Sequence, residues 1–373
     1  MSLEYATWTE DGAERRARWQ SESGAPVPRR LECVDDTLTA DLAYRMTSEG
    51  IGLVWRGDFQ NARQLLQAIT RRVDKRRVKP ADTLLDAFNQ HRMRQAQRAR
   101  TLGLLLIEVQ PGDHIPLRRA PDVAQACAQA HGTADEPYLI SLRELQGLIG
   151  AYEWRRNGVP IAALGGATLH PYYGVFSPVR GEYIDLVARA PLPAGAGTAL
   201  DLGSGTGVLA AVLARRGLQV LAVDQDPRAL ACTRDNLQRL GLQNKVEVRA
   251  SDLYPDARFD LVVCNPPWLP ARPSSPIEAA IYDPDSRMLR GFLAGLAAHL
   301  TPAGVGWLVM SNLAERIGLR APEALAGWIA EAGLRVVARH DTRPTHKRAL
   351  DPTDPLHAAR SGEITTLWRL AAA

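Results

Sequence analysis

Ala199-Leu200-Asp201-Leu202-Gly203-Ser204-Gly205-Thr206-Gly207 is the stretch whose reading decides the fold. An apolar run ends on an acid, a glycine-spaced turn follows, and Val208 to Ala214 then reads as helix. Strand, glycine turn and helix in that order form a ligand-binding turn of an α/β protein. Glycine lets the backbone adopt conformations and approach distances that a Cβ would forbid. A dinucleotide fingerprint requires G-x-G-x-x-G. Here the spacing is G-x-G-x-G and Val208 stands where the third glycine would be, so no pyrophosphate cradle is implied.

Downstream, the pattern repeats. Leu218 to Asp224 is a buried-type strand ending in an acid, and Asp226-Pro227 opens a helix that Leu240-Gly241 closes. Val246 to Ala250 is a strand followed by Asp252; Phe259 to Cys264 is another, running into Asn265-Pro266-Pro267-Trp268. Helices over 288–300 and 322–332 and strands over 305–311, 334–340 and 363–370 complete the series. Such alternation predicts a doubly wound, mostly parallel sheet covered on both faces. Asp224 lies roughly 20 residues past the first glycine, where an acid accepts hydrogen bonds from ribose hydroxyls; capping the next helix is its other reading. Asp252 is placed to accept from an adenine amino group, or to sit as a solvated turn acid.

Upstream of this core the chain has a different character. Residues 1–35 read as polar and irregular, and helical spacing follows over 37–48, 61–73, 121–131 and 138–152. Thr83-Leu84-Leu85-Asp86 starts a further helix, and Leu102 to Val109 reads as a strand. Tyr172 to Pro178 is expected to be extended, as half of a hairpin. A boundary at Arg156-Asn157-Gly158-Val159-Pro160 divides the 373 residues into a mainly helical domain, 1–155, and an α/β domain, 156–373. Substrate recognition is expected of the first.

The composition, 46% hydrophobic and 23% charged, is that of an ordinary globular chain. No apolar run approaches the roughly 18 residues of a membrane helix, and Met1 to Gln20 lacks a signal-peptide core. Cys33, Cys127, Cys232 and Cys264 are scattered without a C-x-x-C pair, so neither a disulfide framework nor a zinc knuckle is suggested. A cytoplasmic protein without metal is the expectation. The net charge is only +4, but residues 71–100 carry ten Lys/Arg against Asp74, Asp82 and Asp86. That excess is either a footprint for a polyanion or a solvated helical face.

Asp201 to Gly207, Val223-Asp224, Ser251-Asp252 and Asn265-Pro266-Pro267-Trp268 resemble the successive motifs of class I S-adenosylmethionine-dependent methyltransferases. Gly174 to Glu182 resembles the segment that precedes the core in those families. The tetrapeptide narrows the resemblance to nitrogen methyltransferases of the HemK-like and "methyltransferase small domain" kinds. It implies a seven-stranded sheet with one antiparallel strand. It also implies a cofactor site at Asp201, Gly203, Ser204, Gly205, Gly207, Asp224 and Asp252, and a catalytic tetrapeptide at Asn265, Pro266, Pro267 and Trp268. An exocyclic amine or side-chain amide is a poor nucleophile because its lone pair is delocalised. Oxygens of Asn265 and Pro266 accepting its N–H groups would fix the nitrogen against the methyl donor. The prolines stiffen the turn, and Trp268 offers a face for stacking.

An RNA base, ribosomal or transfer, is the favoured acceptor, because of the basic stretch. Arg92, Arg94, Arg98, Phe176 and Arg180 are the candidate substrate contacts; Tyr172, Tyr173 and Phe176 read as a lid over the ligand or, as is commoner for such aromatics, as core. A protein glutamine of the translation apparatus is the alternative, suggested by Trp268-Leu269-Pro270. A non-catalytic cofactor- or RNA-binding module is the remote third. Oligomeric state is not legible.

Overall fold

The computed structural model describes residues 4–75, 80–179, 181–273, 278, 280–344 and 351–373. Two compact units emerge. One comprises residues 4–75, Pro80 and Asn89–Glu153; the other comprises Ala81–Phe88 with the described residues from Trp154 to Ala373. No helix among the described residues is long and apolar enough to cross a membrane.

The first unit is built on six strands, β1 (Tyr5–Glu10), β2 (Ala13–Gln20), β3 (Arg30–Val34), β4 (Ile51–Trp55), β5 (Leu105–Val109) and β6 (Tyr138–Ser141). Their order is β1-β2-β6-β5-β4-β3, with mixed parallel and antiparallel pairing. Helices α1 (Ala40–Ser48), α2 (Phe59–Asp74), α3 (Leu84–Leu102), α4 (Ala124–His131) and α5 (Leu142–Asn157) lie between and after the strands. Thr39 and Asp58 cap α1 and α2 by accepting from the Leu42 and Gln60 N–H groups.

This corrects the expectation of a mainly helical domain with an irregular start. Asp11 (φ 50°) and Gly12 (φ 76°) both take left-handed backbone and turn β1 directly into β2. An Asp-Gly pair of this kind is the strongest short hairpin signal. β2 buries fully only Ala17, so its inward face carries almost no apolar pattern. β6 is wholly buried and passes without a break into α5, which disguises it as the helix's first turn. Ala81–Phe88 departs from the expected division, because Leu84, Ala87 and Phe88 pack with Leu269, Leu313 and Ile317 of the second unit.

The second unit carries β9 (Thr198–Leu202), β10 (Gln219–Asp224), β11 (Val246–Ala250), β12 (Phe259–Cys264), β13 (Leu300–Ser311), β14 (Leu334–Thr342) and β15 (Thr365–Ala372), after a two-strand pair, β7 (Val159–Pro160) and β8 (Thr168–Leu169). The seven strands run β11-β10-β9-β12-β13-β15-β14, and only β15 is antiparallel to its neighbours. Helices α6 (Glu182–Arg189) and α7 (Val208–Arg215) cover one face. Helices α9 (Arg287–Leu296) and α11 (Ala324–Glu331) cover the other, and α8 (Pro227–Arg239) and α10 (Leu313–Ile317) follow β10 and β13. The two-residue alternation of strands assigns the side chains. Ala199, Val220, Ala222, Leu261 and Val263 bury against α7; Leu200, Leu202, Leu221, Val223, Val262 and Cys264 bury against α9. The segment 172–178 forms turns and irregular structure rather than half of a hairpin.

Candidate functional site

Leu202, the last residue of β9, pairs with Val223 of β10 on one side and Cys264 of β12 on the other. The residues that follow those three strands therefore meet at one edge of the sheet. In an open α/β sheet this carboxyl edge is where ligands bind.

The first contribution is the glycine turn. Gly203, Gly205 and Gly207 have φ of 79°, 55° and 78°, which side-chain-bearing residues rarely adopt. The Gly203 and Ser204 N–H groups donate to the Val223 carbonyl at 2.9 and 3.0 Å, and the Gly205 N–H donates to Asp224 Oδ2 at 3.0 Å. Helix α8 holds the turn from behind. Thr233 Oγ1 donates to the Gly205 carbonyl (3.0 Å) and lies 3.2 Å from Ser204 Oγ; Asn236 Nδ2 donates to the Thr206 carbonyl at 3.0 Å. Both supports are fully buried. They were not singled out from the sequence, although polar residues on the inward side of an amphipathic helix are a signal for such a role.

Asp201 sits beneath the turn, 1% exposed, on the α7 face of β9. Its Oδ2 accepts from the Ala210 N–H at 2.9 Å, in the first turn of α7. Burial pushes its carboxyl up to about 7; the charge of Asp224 adds to this, and the Ala210 hydrogen bond opposes it. In this structure Asp201 positions the helix that the turn leads into.

Asp224 is half-buried at the end of β10, with the Asp226 N–H on Oδ1 and the Gly205 N–H on Oδ2. Burial raises its carboxyl above the ordinary range. A carboxylate accepts about four hydrogen bonds, so both oxygens retain capacity for hydroxyl donors. Asp252 is exposed after β11 and pairs with Arg287 at 2.6 Å.

Asn265 follows Cys264 directly and so stands beside Gly203 at the strand ends. Trp268 Nε1–H donates to Asn265 Oδ1 at 3.0 Å. An indole nitrogen only donates, so this contact settles which end of the amide is oxygen. Trp268 is half-buried and packs against the core clusters of both faces. The chain beyond is pinned: Leu269 N–H donates to the Ile281 carbonyl at 3.1 Å and Asp283 N–H to the Leu269 carbonyl at 2.9 Å. The buried Asp283 carboxylate then takes the Met288 and Leu289 N–H groups at the start of α9.

The remaining candidates are spread more widely. Tyr172 packs with Val175, Ala229 and Cys232, with the Arg155 guanidinium 3.6 Å over its ring, which is the core reading of that aromatic. Phe176 is half-buried, and Arg180 lies outside the described residues. Arg92, Arg94 and Arg98 belong to the part of α3 in the first unit. Arg98 is tied to Asp74 at 2.9 Å, Arg92 is half-buried and Arg94 is exposed.

The strand order with its inserted antiparallel strand, the glycine turn, and the acid ending β10 together describe the class I methyltransferase fold and its cofactor edge. Residues 168–316 match the methyltransferase small domain family. The chain is 36% identical over 157 residues to a ribosomal RNA small subunit methyltransferase C of Aeromonas hydrophila, covering 41% of this chain and 42% of that one. It is 33% identical over 178 residues to a release factor glutamine methyltransferase of Cereibacter sphaeroides, covering 44% and 59%. It is 31% identical over 254 residues to the enzyme of that name from Xylella fastidiosa, covering 60% and 85%. The chain thus spans about half the length of the first two relatives. The chain belongs to the class I S-adenosylmethionine-dependent methyltransferases that carry the methyltransferase small domain.

The residues fit that cofactor. A Cβ added at Gly205 would meet no atom of the described residues within 4 Å, so the outer side of the turn is open to a ligand. Asp224 stands beside it with spare acceptor capacity.

Proposed function

We propose that this chain transfers a methyl group from S-adenosylmethionine to a planar nitrogen of an RNA base, ribosomal or transfer, with residues 1–155 recognising the substrate. The observation that carries the chemistry is the adjacency of Asn265 and the glycine turn, fixed by the Leu202–Cys264 pairing. Gly203, Ser204, Gly205, Gly207 and Asp224 hold the cofactor, and Asp252, shared with Arg287, borders its base. The bound cofactor supplies an electrophilic methyl.

Everything else falls to the chain. Asn265 Oδ1 and the Pro266 carbonyl each accept one N–H of the acceptor, turning its lone pair toward the methyl. Oδ1 has two lone pairs; Trp268 occupies one and the acceptor takes the other. Pro266 and Pro267 restrict the backbone that presents the carbonyl. The transferred methyl leaves a cationic nitrogen that loses its proton to water, so no side-chain base is required. Arg94 offers an exposed cation on α3 for a polyanion, alongside Arg92 and Arg98.

A second reading, methylation of a protein glutamine in the translation apparatus, is favoured by Leu269-Pro270 after the tetrapeptide and by the 254-residue similarity to a release factor glutamine methyltransferase. Tritiated methyl transfer into a cell extract, divided between ribonuclease and protease treatment, separates the two. Label lost to ribonuclease, absent with Asn265→Ala, and weakened at raised salt by Arg92, Arg94 and Arg98→Ala is the expected result. Label lost only to protease overturns the RNA assignment.

A further inference from the structure

We infer that the first unit contains a binding site for a borderline-soft divalent metal ion of the zinc type, formed by Asp113, Cys127 and His131. The donor atoms of these three side chains lie within 4.8 Å of one another. They come from separate parts of the chain. Cys127 and His131 are spaced i, i+4 on α4 and so share a helix face, while Asp113 lies in the loop after β5. Asp113 is 2% exposed and Cys127 is wholly buried.

Hydrogen bonding prepares the site for a cation. His131 Nδ1 is 2.9 Å from the Gly132 carbonyl, which only accepts, so Nδ1 carries the proton and Nε2 carries a bare lone pair. Nε2 is buried and has no hydrogen-bond partner among the described residues. Tyr138 O–H donates to Asp113 Oδ1 at 2.9 Å, and Asp113 Oδ2 is likewise buried without a partner among the described residues. A metal-bound histidine ordinarily donates its other ring N–H to a carbonyl, and a ligating carboxylate is ordinarily braced by a donor on its free oxygen. Both braces are present, and both remaining atoms are left unsatisfied. An orphaned buried acceptor is destabilising, so two in one cluster call for an explanation.

The chemistry selects the ion. One thiolate, one carboxylate and one neutral imidazole balance a dication, and the S, N, O set suits zinc rather than magnesium or calcium. Binding releases the Cys127 thiol proton to solvent. Tetrahedral zinc places its donors about 3.5 Å apart, so donors now within 4.8 Å of one another close by little more than about 1 Å. The fourth position falls to a water. A nucleophilic Cys-His-Asp reading fails on access, because a wholly buried Cys127 meets no substrate. C-x-x-x-H alone is too weak a motif to announce the site in the sequence.

The test uses the full chain, stripped with a chelator and titrated with zinc and, separately, with cobalt(II). One equivalent of zinc is expected, with a raised melting temperature. Cobalt is expected to give a thiolate-to-metal charge-transfer band in the near ultraviolet. Cys127→Ser and Asp113→Asn should each weaken zinc binding by more than about 100-fold. Asn at 113 still accepts from Tyr138 and tolerates the left-handed backbone there, φ 61°. Absence of stoichiometric binding overturns the inference. So does binding that survives both substitutions, or cobalt bound without a thiolate band; the band is read on the unsubstituted chain and decides the matter even where a variant fails to fold.

Discussion

Trp268→Phe isolates the hydrogen bond at the candidate catalytic asparagine. The substitution keeps an aromatic face after Pro267 and removes the indole N–H that donates to Asn265 Oδ1 at 3.0 Å. That bond is neutral and half-buried, so its loss amounts to about 1 kcal/mol. In the unsubstituted chain it keeps the amide oxygen, rather than the amide nitrogen, where the acceptor N–H must arrive. Without it the two orientations of Asn265 become comparable and part of the population presents a donor to a donor. A preference of about 1 kcal/mol keeps roughly 85% of Asn265 in the productive orientation, so making the two comparable lowers kcat about 2-fold. The cofactor dissociation constant should be unchanged, because the glycine turn and Asp224 are untouched. Single-turnover methyl transfer with saturating cofactor measures the effect, and Asn265→Ala sets the floor. An unchanged kcat, or a loss confined to the KM for the acceptor, would refute the positioning role and leave Trp268 as a stacking surface only.

Two further substitutions address the support of the glycine turn. Asp201→Asn should remove a pH dependence. A buried carboxyl raised from an ordinary value near 4 to about 7 stabilises the fold fully below pH 4. That contribution is lost as pH rises to 7, by roughly 4 kcal/mol in total. Denaturant unfolding between pH 4 and 8 should show the variant gaining about that much on the parent with rising pH; parallel curves would sink the assignment. Thr233→Val preserves shape while leaving the Gly205 carbonyl without its hydroxyl partner. About 2 kcal/mol should be lost, seen as a melting point lower by roughly 4–8 °C, with weaker cofactor binding.

The core of the second unit was legible because β9, β10 and β12 are short, largely buried runs that end at Gly203, at Asp224 and at Asn265; β11 is mostly exposed and is marked by its place in the alternation and by Asp252 after it. The placement of the candidate cofactor edge was equally legible, since Asp224 and the tetrapeptide stand at strand ends. The support behind that edge was not. Thr233 and Asn236 look like ordinary helix residues until the glycine turn is laid against them. The first unit was misread for two physical reasons. Its β2 is an exposed ribbon whose arginines lie on neighbouring groups, as Arg16 does at 3.8 Å over the Tyr5 ring, so no apolar alternation marks it. Its β6 runs straight into a helix with no residue between them, and the apolar positions Tyr138, Leu142, Leu145 and Leu148 carry a helical period across the junction that outweighs the capping-box pattern of Ser141 and Glu144. The Asp11-Gly12 turn was the one local cue that could have corrected the first error.

Ala81–Phe88 gives the second unit a discontinuous pedigree. Phe88, 3% exposed, fills a cluster with Leu269, one residue past the tetrapeptide, and with Leu313 and Ile317. Residues 89–153 therefore stand as an insertion between two segments of one folding unit, rather than the whole N-terminal part being a module joined at a linker. A fragment begun at residue 154 would carry every strand of the methyltransferase sheet and still leave the apolar floor beneath Leu269 bare to water. Recombining this unit with other recognition modules means grafting at Phe88 and Trp154 together, with the preceding turn of α3 retained.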